Sequence, residues 1–188
     1  MNERRPQLVR AATELMMREG VAAATTRAVA TELGVGQATI HYAFGSKHEL
    51  HKAVLLAVTQ EILSDVQAAA PPAAADFATG LRFFVDRLWE SVTSAPERHH
   101  LVAELSLTAL REPVLRASLQ EHQRSVNEAI AGIIAAVAQD CGQELTRTPQ
   151  ALARAFVAAH DGLVVQYLTD QDAQAGRDCL LDLVTTMA

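Results

Sequence analysis

The stretch from Thr25 to Lys47, TTRAVATELGVGQATIHYAFGSK, constrains the fold more than any other part of the chain. Its apolar positions are Val29, Ala30, Leu33, Val35 and Ile40, spread over two short helical segments with Gly34 between them. Ala30 and Gly34 are small or bare where two helices must approach closely. Two short helices on a tight turn, followed by a capped third, are the sequence form of a helix-turn-helix. That unit places its second helix in the major groove of DNA.

Bulk composition agrees with a helical chain. Of 188 residues, 49% are hydrophobic and only 4% aromatic, so the core is built mainly from Ala, Leu and Val. Ala and Leu are strong helix formers, which predicts an all-α protein of one large domain or two small ones. Charge is unevenly placed. Residues 1–55 hold seven Lys/Arg against five Asp/Glu, and residues 56–188 hold nine against seventeen, within a net charge of −6. A basic head on an acidic body suits a protein that presents one end to phosphate.

Two cysteines, Cys141 and Cys179, suggest neither a disulfide framework nor a metal site. The start, MNERRPQL, shows no apolar run of a signal peptide, and no stretch approaches the roughly 18 uninterrupted apolar residues of a membrane span. The expectation is a soluble, cytoplasmic protein without a membrane partner.

Helical spacing then organises the chain. Leu8, Ala11, Ala12, Leu15 and Met16 form a stripe over 4–19, which Gly20 ends. Thr25 or Thr26 caps the next helix, which runs to about Leu33, and a short helix follows over about 37–43. Ser46 and Glu49 have capping-box spacing and open a connecting helix of about 46–66, with Leu50, Val54, Val58, Ile62 and Val66 inward. AAAPPAAA at 68–75 reads as a linker. Asp76 caps a helix carrying Phe77, Leu81, Phe84, Leu88 and Val92. Further helices are expected over 97–110, from Pro113 to about Asp140, over 149–169 and over 173–187. The count is nine or ten, with residues 1–48 as the DNA-binding domain and 49–188 as a body.

In this register Gln37, Ala38, Thr39 and Tyr42 point away from the apolar set Val35, Ile40 and Phe44. Gln37 can pair bidentately with adenine, and Ala38 or the Thr39 methyl can meet a thymine methyl. Thr25, Thr26 and Arg27 stand at a helix start, where free N–H groups and the helix dipole favour phosphate. Lys47 adds a charge at the start of the connecting helix, and His41 a ring donor.

From Thr26 to Lys47 the chain resembles the TetR family of transcriptional regulators, whose pattern over these positions reads approximately x-x-x-I-A-x-x-A-G-V-S-x-G-T-L-Y-x-Y-F-x-S-K. Ala30, Gly34, Val35, Thr39, Phe44, Ser46 and Lys47 match. Gly36 replaces the usual cap Ser, Ala38 the usual Gly, and His41 and Ala43 two tyrosines that often contact phosphate. The resemblance implies a three-helix DNA-binding head on a helical body that binds a small molecule and dimerises. It also implies a repressor whose affinity for a palindromic operator falls when a small, mainly apolar effector binds.

For the body, Phe84, Trp89, His100, Phe156 and His160 are the candidate pocket residues, with Trp89, His100 and His160 offering polar tips. Val126, Ile130, Ile133, Val137, Phe156 and Leu163 lie on apolar stripes long enough to serve a homodimer. His160 and Asp161 are sequence neighbours whose side chains diverge by about 100° on a helix, which argues against a base–orienter pair. His100 and Glu104 have the one-turn spacing of metal ligands, but no cofactor and no metal are expected. No phosphate loop, nucleophile elbow or paired-carboxylate motif is present, so no enzyme is expected. The competing readings are a helical protein-interaction module without specific DNA binding and a small helical metal-binding protein.

Overall fold

The computed structural model describes residues 4–67 and 76–187. The expected linker 68–75 lies outside the described residues, and so does the side chain of Val66, whose inward placement is expected. Among these, all regular structure is helical, in nine helices: α1 (Arg4–Glu19), α2 (Thr26–Glu32), α3 (Gln37–Phe44), α4 (Lys47–Gln67), α5 (Phe77–Ser94), α6 (Pro96–Arg111), α7 (Pro113–Asp140), α8 (Pro149–Asp170) and α9 (Ala173–Met187). The all-α architecture is as the composition and periodicity require.

The chain divides into two compact units, Met1–Glu61 with Glu97–Gln120, and Ile62–Pro96 with Glu121–Ala188. In the first, α1 buries Leu8, Ala11, Ala12, Leu15 and Met16 on one face. Gly20, at φ 85°, ends it in a left-handed conformation that side chains rarely adopt. The Thr25 hydroxyl accepts from the Ala28 N–H at 3.1 Å, so Thr25 rather than Thr26 caps α2. At Gly34, φ 62°, the chain turns, and the Val35 N–H returns to the Ala30 carbonyl at 2.9 Å. Ser46 caps α4 by accepting from the Glu49 N–H at 3.2 Å.

One contact in this unit is invisible to periodicity. The Glu104 carboxylate on α6 accepts from the Val21 N–H at 3.0 Å, although the two residues are 83 positions apart. Val21 is buried, and Glu104 satisfies a donor that the turn after Gly20 leaves without a helical partner. His48 near the start of α4 lies 3.8 Å from the Glu112 carboxylate between α6 and α7.

In the second unit, α5 buries Phe77, Leu81, Phe84, Val85, Leu88, Trp89 and Val92, and α9 packs against α5 and α8. The Trp89 indole N–H donates to the Ala173 carbonyl at 2.7 Å. Its ring covers Gly176 so closely that a Cβ there would lie 2.3 Å from Trp89 Cζ2. Arg177 on α9 pairs with Asp86 on α5, Nη2 to Oδ1, at 2.6 Å. Gly176 thus lets α9 approach, and Arg177 holds the crossing beside it.

His51 on α4 is 2% exposed, and neither ring nitrogen has a hydrogen-bond partner. Burial, with the nearby charges of Lys47 and His48, lowers its pKa to about 4 from 6.5. The backbone of Ala24, near the ring but outside hydrogen-bond geometry, opposes this shift. The folded chain therefore keeps His51 neutral while the unfolded chain takes up a proton below pH 6.5.

Stability should be fullest above pH 6.5 and fall as pH drops from there through 4, by up to about 3 kcal/mol from this group. Denaturant titrations at several pH values check this, with His51→Leu expected to flatten the profile in that window. Glu104→Ala should cost about 1–3 kcal/mol by orphaning the Val21 N–H, whereas Glu104→Gln, which keeps an acceptor, should cost clearly less. Chemical denaturation of the two variants separates these outcomes.

Candidate nucleic-acid interface

The helix α3 has eight residues, and two of them hold it down: Ile40 and Phe44, one turn apart, are buried. The opposite side is consequently outside. Gln37, Ala38 and His41 are exposed, Thr39 is half-buried, and Tyr42 is 82% exposed. A tyrosine this bare has its ring and hydroxyl free for contact with a partner. From α2 and α4, Thr25, Arg27 and Lys47 are exposed and Thr26 is half-buried.

Three of these side chains are joined. The Gln37 Nε2 donates to the Thr26 hydroxyl oxygen at 3.3 Å and lies 3.4 Å from His41 Nε2. The Gln37 amide thus ties the first turn of α3 to the first residue of α2. Gly36, the N-cap of α3, supplies no side-chain hydrogen bond, and within the first turn the Thr39 N–H donates to the Gly36 carbonyl at 2.9 Å. At the other end of α3, the guanidinium of Arg5 lies 5.3 Å from the centroid of the Phe44 ring. Sequence reasoning passed over Arg5, since nothing in its spacing relates it to residue 44.

The body candidates fare unevenly. Phe84 and Phe156 pack with centroids 5.4 Å apart, and the His160 ring stacks on Phe156 at 6.4 Å. Trp89 meets Tyr167 edge-on at 5.9 Å. Its N–H is already spent on Ala173, so it offers no free polar tip to a ligand in this arrangement. Trp89 instead forms part of the wall of a cleft of about 470 Å³, with Asp86, Glu90 and Arg177. His100 is exposed and belongs to the first unit, whereas the other four belong to the second. Glu104, its supposed co-ligand, is engaged by Val21. No group of three His, Cys, Asp or Glu that could hold a metal ion occurs among the described residues.

Two expectations need correction. His160 Nδ1 does reach Asp161 Oδ1, at 3.2 Å; the Cα–Cβ bonds diverge, but both side chains are long enough to bend toward one another. His122 on α7 also senses Asp161, whose charge partly offsets the lowering of its pKa by burial. Of the dimerisation candidates, Ile130, Val137, Phe156 and Leu163 are buried within the single chain, because the apolar stripe of each helix faces its own core. Val126 and Ile133 are half-buried, while Ala158, Gly162 and Val165 on α8 are exposed.

Among the described residues, no helix is long and apolar enough to cross a membrane. Residues 8–54 match the family described as bacterial regulatory proteins, tetR family. Residues 72–188 match the tetracyclin repressor-like C-terminal domain. The nicotine-responsive repressor HdnoR of Paenarthrobacter nicotinovorans is 25% identical over 190 residues, covering 97% of this chain and 92% of the relative. The multidrug binding protein EbrR, solved with imidazole, is 30% identical, with a TM-score of 0.72 over 96% of this chain and 94% of EbrR. A TetR regulator from Haloarcula marismortui, 16% identical, superposes with a TM-score of 0.81 over 100% of this chain and 99% of its own, which speaks for the fold alone. With a family match over more than half its length and a helix-turn-helix whose reading face is open, the chain belongs to the TetR family and is a DNA-binding transcriptional regulator.

Proposed function

We propose that the chain is a cytoplasmic, non-enzymatic repressor that binds a palindromic operator as a homodimer and releases it when an effector binds the body. The observation that carries the DNA side is the division of α3, with Ile40 and Phe44 buried and Gln37, Ala38, Thr39, His41 and Tyr42 turned outward. In this reading residues 1–48 dock on DNA, with Thr25, Thr26, Arg27 and Lys47 on phosphates. Residues 49–188 serve effector binding and dimerisation.

Two copies of α3 must reach successive major grooves, about 34 Å apart. The dimer face would draw on half-buried Val126 and Ile133 and on the exposed strip Ala158, Gly162 and Val165. An effector lowers operator affinity only if it favours a different spacing of the two heads. HdnoR is named for its response to nicotine, and EbrR is solved with imidazole, ethidium and proflavin. Their shared chemistry is a ring that carries nitrogen. His160 stacked on Phe156, with Phe84 tilted against Phe156, supports an aromatic site for such a molecule in this body. We therefore assign it a small, mainly apolar, nitrogen-bearing aromatic effector.

Selection of genomic fragments by the purified protein, followed by anisotropy at two salt concentrations, tests the reading. A palindromic site should be enriched and bound by two chains. Tyr42→Ala should weaken it by about tenfold, as loss of one base-edge or phosphate contact does. Lys47→Ala should reduce the salt slope by about one. Nicotine, which does not intercalate, should release the operator and change the emission of Trp89, the single tryptophan of the chain. Binding indifferent to sequence in every case would reject the operator reading.

A further inference from the structure

The bridge at the head of α3 decides how Gln37 meets a base. A primary amide carries two hydrogens on nitrogen and two lone pairs on oxygen. In Gln37 the nitrogen faces the Thr26 hydroxyl at 3.3 Å and His41 Nε2 at 3.4 Å. The Thr26 hydroxyl can donate or accept, so it fits either orientation of the amide. With the amide placed so that its nitrogen faces both partners, the nitrogen donates and His41 Nε2 accepts, a role open to it in the Nδ1–H tautomer. Both amide hydrogens are then used inside the protein, and the carbonyl oxygen is the group of Gln37 that remains for DNA.

A glutamine recognises adenine by a pair of bonds, its oxygen accepting from N6 and its nitrogen donating to N7. That pair is closed to Gln37 while Thr26 and His41 hold its nitrogen. A lone acceptor in the major groove can take a proton from the exocyclic amino group of adenine or of cytosine, and finds only acceptors on guanine and on thymine. Building on the operator reading above, we propose that Gln37 reads one exocyclic amino group, accepting adenine and cytosine alike. Thr26 and His41 act as positioning residues that fix the polarity of its amide. The expectation of bidentate adenine recognition by Gln37 is thereby replaced.

The test is selection from a pool of randomised duplexes, with bound sequences counted for the full-length protein and three variants. For the unaltered protein, one base pair in each half-site should take adenine or cytosine within about threefold of each other, with guanine and thymine disfavoured about tenfold. Gln37→Glu, which keeps an acceptor and has no donor, should retain the tolerance for both amino-bearing bases even where its added charge weakens binding overall. The double variant Thr26→Val, His41→Phe should free the amide nitrogen and narrow the position to adenine over cytosine by about tenfold. Thr26→Ser with His41 intact should behave as the unaltered protein. A merely structural role for Thr26 and His41 would lower affinity for all sequences without moving these ratios.

Strict adenine at that position in the unaltered protein, or unchanged ratios in the double variant, would overturn the proposal while leaving the regulator reading in place. Absence of any enriched sequence from the unaltered protein would overturn both. Circular dichroism establishes whether the double variant is folded. Should it not fold, Gln37→Glu decides: loss of cytosine tolerance overturns the proposal and its retention supports it.

Discussion

The eight-residue helix α3 is held by two buried side chains, and its use as a reading element follows from that. Helices shorter than about 12–15 residues are marginal in water by themselves. Ile40 and Phe44 supply what local propensity does not, each contributing about 1.5–3 kcal/mol on burial. Because they stand one turn apart on the same side, Ala38 and Tyr42 are fixed across the helix from them, while Gln37 at the N-terminal end and His41 on the flank are exposed as well. Gly34 at one end and Gly45 at the other, both at positive φ, let the chain enter and leave this short piece without lengthening it. The same anchors that stabilise α3 therefore also orient it.

The neighbouring turn shows the complementary case, in which local residues cannot finish the structure. Gly20 lets α1 stop abruptly, but the Val21 N–H then points into a buried place with no helical carbonyl to receive it. Glu104 supplies the acceptor from α6. That α6 belongs to the same compact unit as α1 to α3 is thus more than proximity. The route from α1 into α2 is completed by a carboxylate from a helix that sequence order assigns to the body. A cost of about 1–3 kcal/mol for an orphaned buried donor exceeds the worth of a typical surface ion pair such as Arg18–Glu32, so Glu104 matters more to this turn than the visible charge pairs around it.

Features that rest on neighbours in the chain could be read from it, and those that rest on a distant partner could not. Ser46 before Glu49 and Asp76 before Phe77 announce their helices because a cap acts over three residues. The inward stripe of α1 and the outward register of α3 follow from periodicity alone. Glu104 looked like half of a metal pair because spacing shows which residues share a face and not what lies opposite. Ile130, Val137 and Leu163 looked available for a partner subunit because an apolar stripe has the same appearance whether it is spent inside a chain or between two. Trp89 seemed a free polar tip, and only the bare Gly176 and the carbonyl of Ala173 reveal why it is not. His160 and Asp161 fell to a different error, in which backbone direction was allowed to stand for the reach of the side chain.

The departures of this head from the common TetR pattern can be weighed on the same terms. Glycine at an N-cap costs only a few tenths of a kcal/mol relative to serine, so Gly36 is a small loss of stability. Its larger effect is positional, since the first turn of α3 has no side-chain clasp from its own cap. Gln37 provides a clasp of another kind, reaching back to Thr26 on α2 and forward to His41 one turn along. A tyrosine at position 41 would carry its hydroxyl well beyond the reach of that amide, whereas an imidazole places a ring nitrogen beside it. Gly36 and His41 are then two halves of one arrangement: the side-chain cap is given up, and the imidazole that replaces the tyrosine helps hold Gln37, the first side chain of α3, in place.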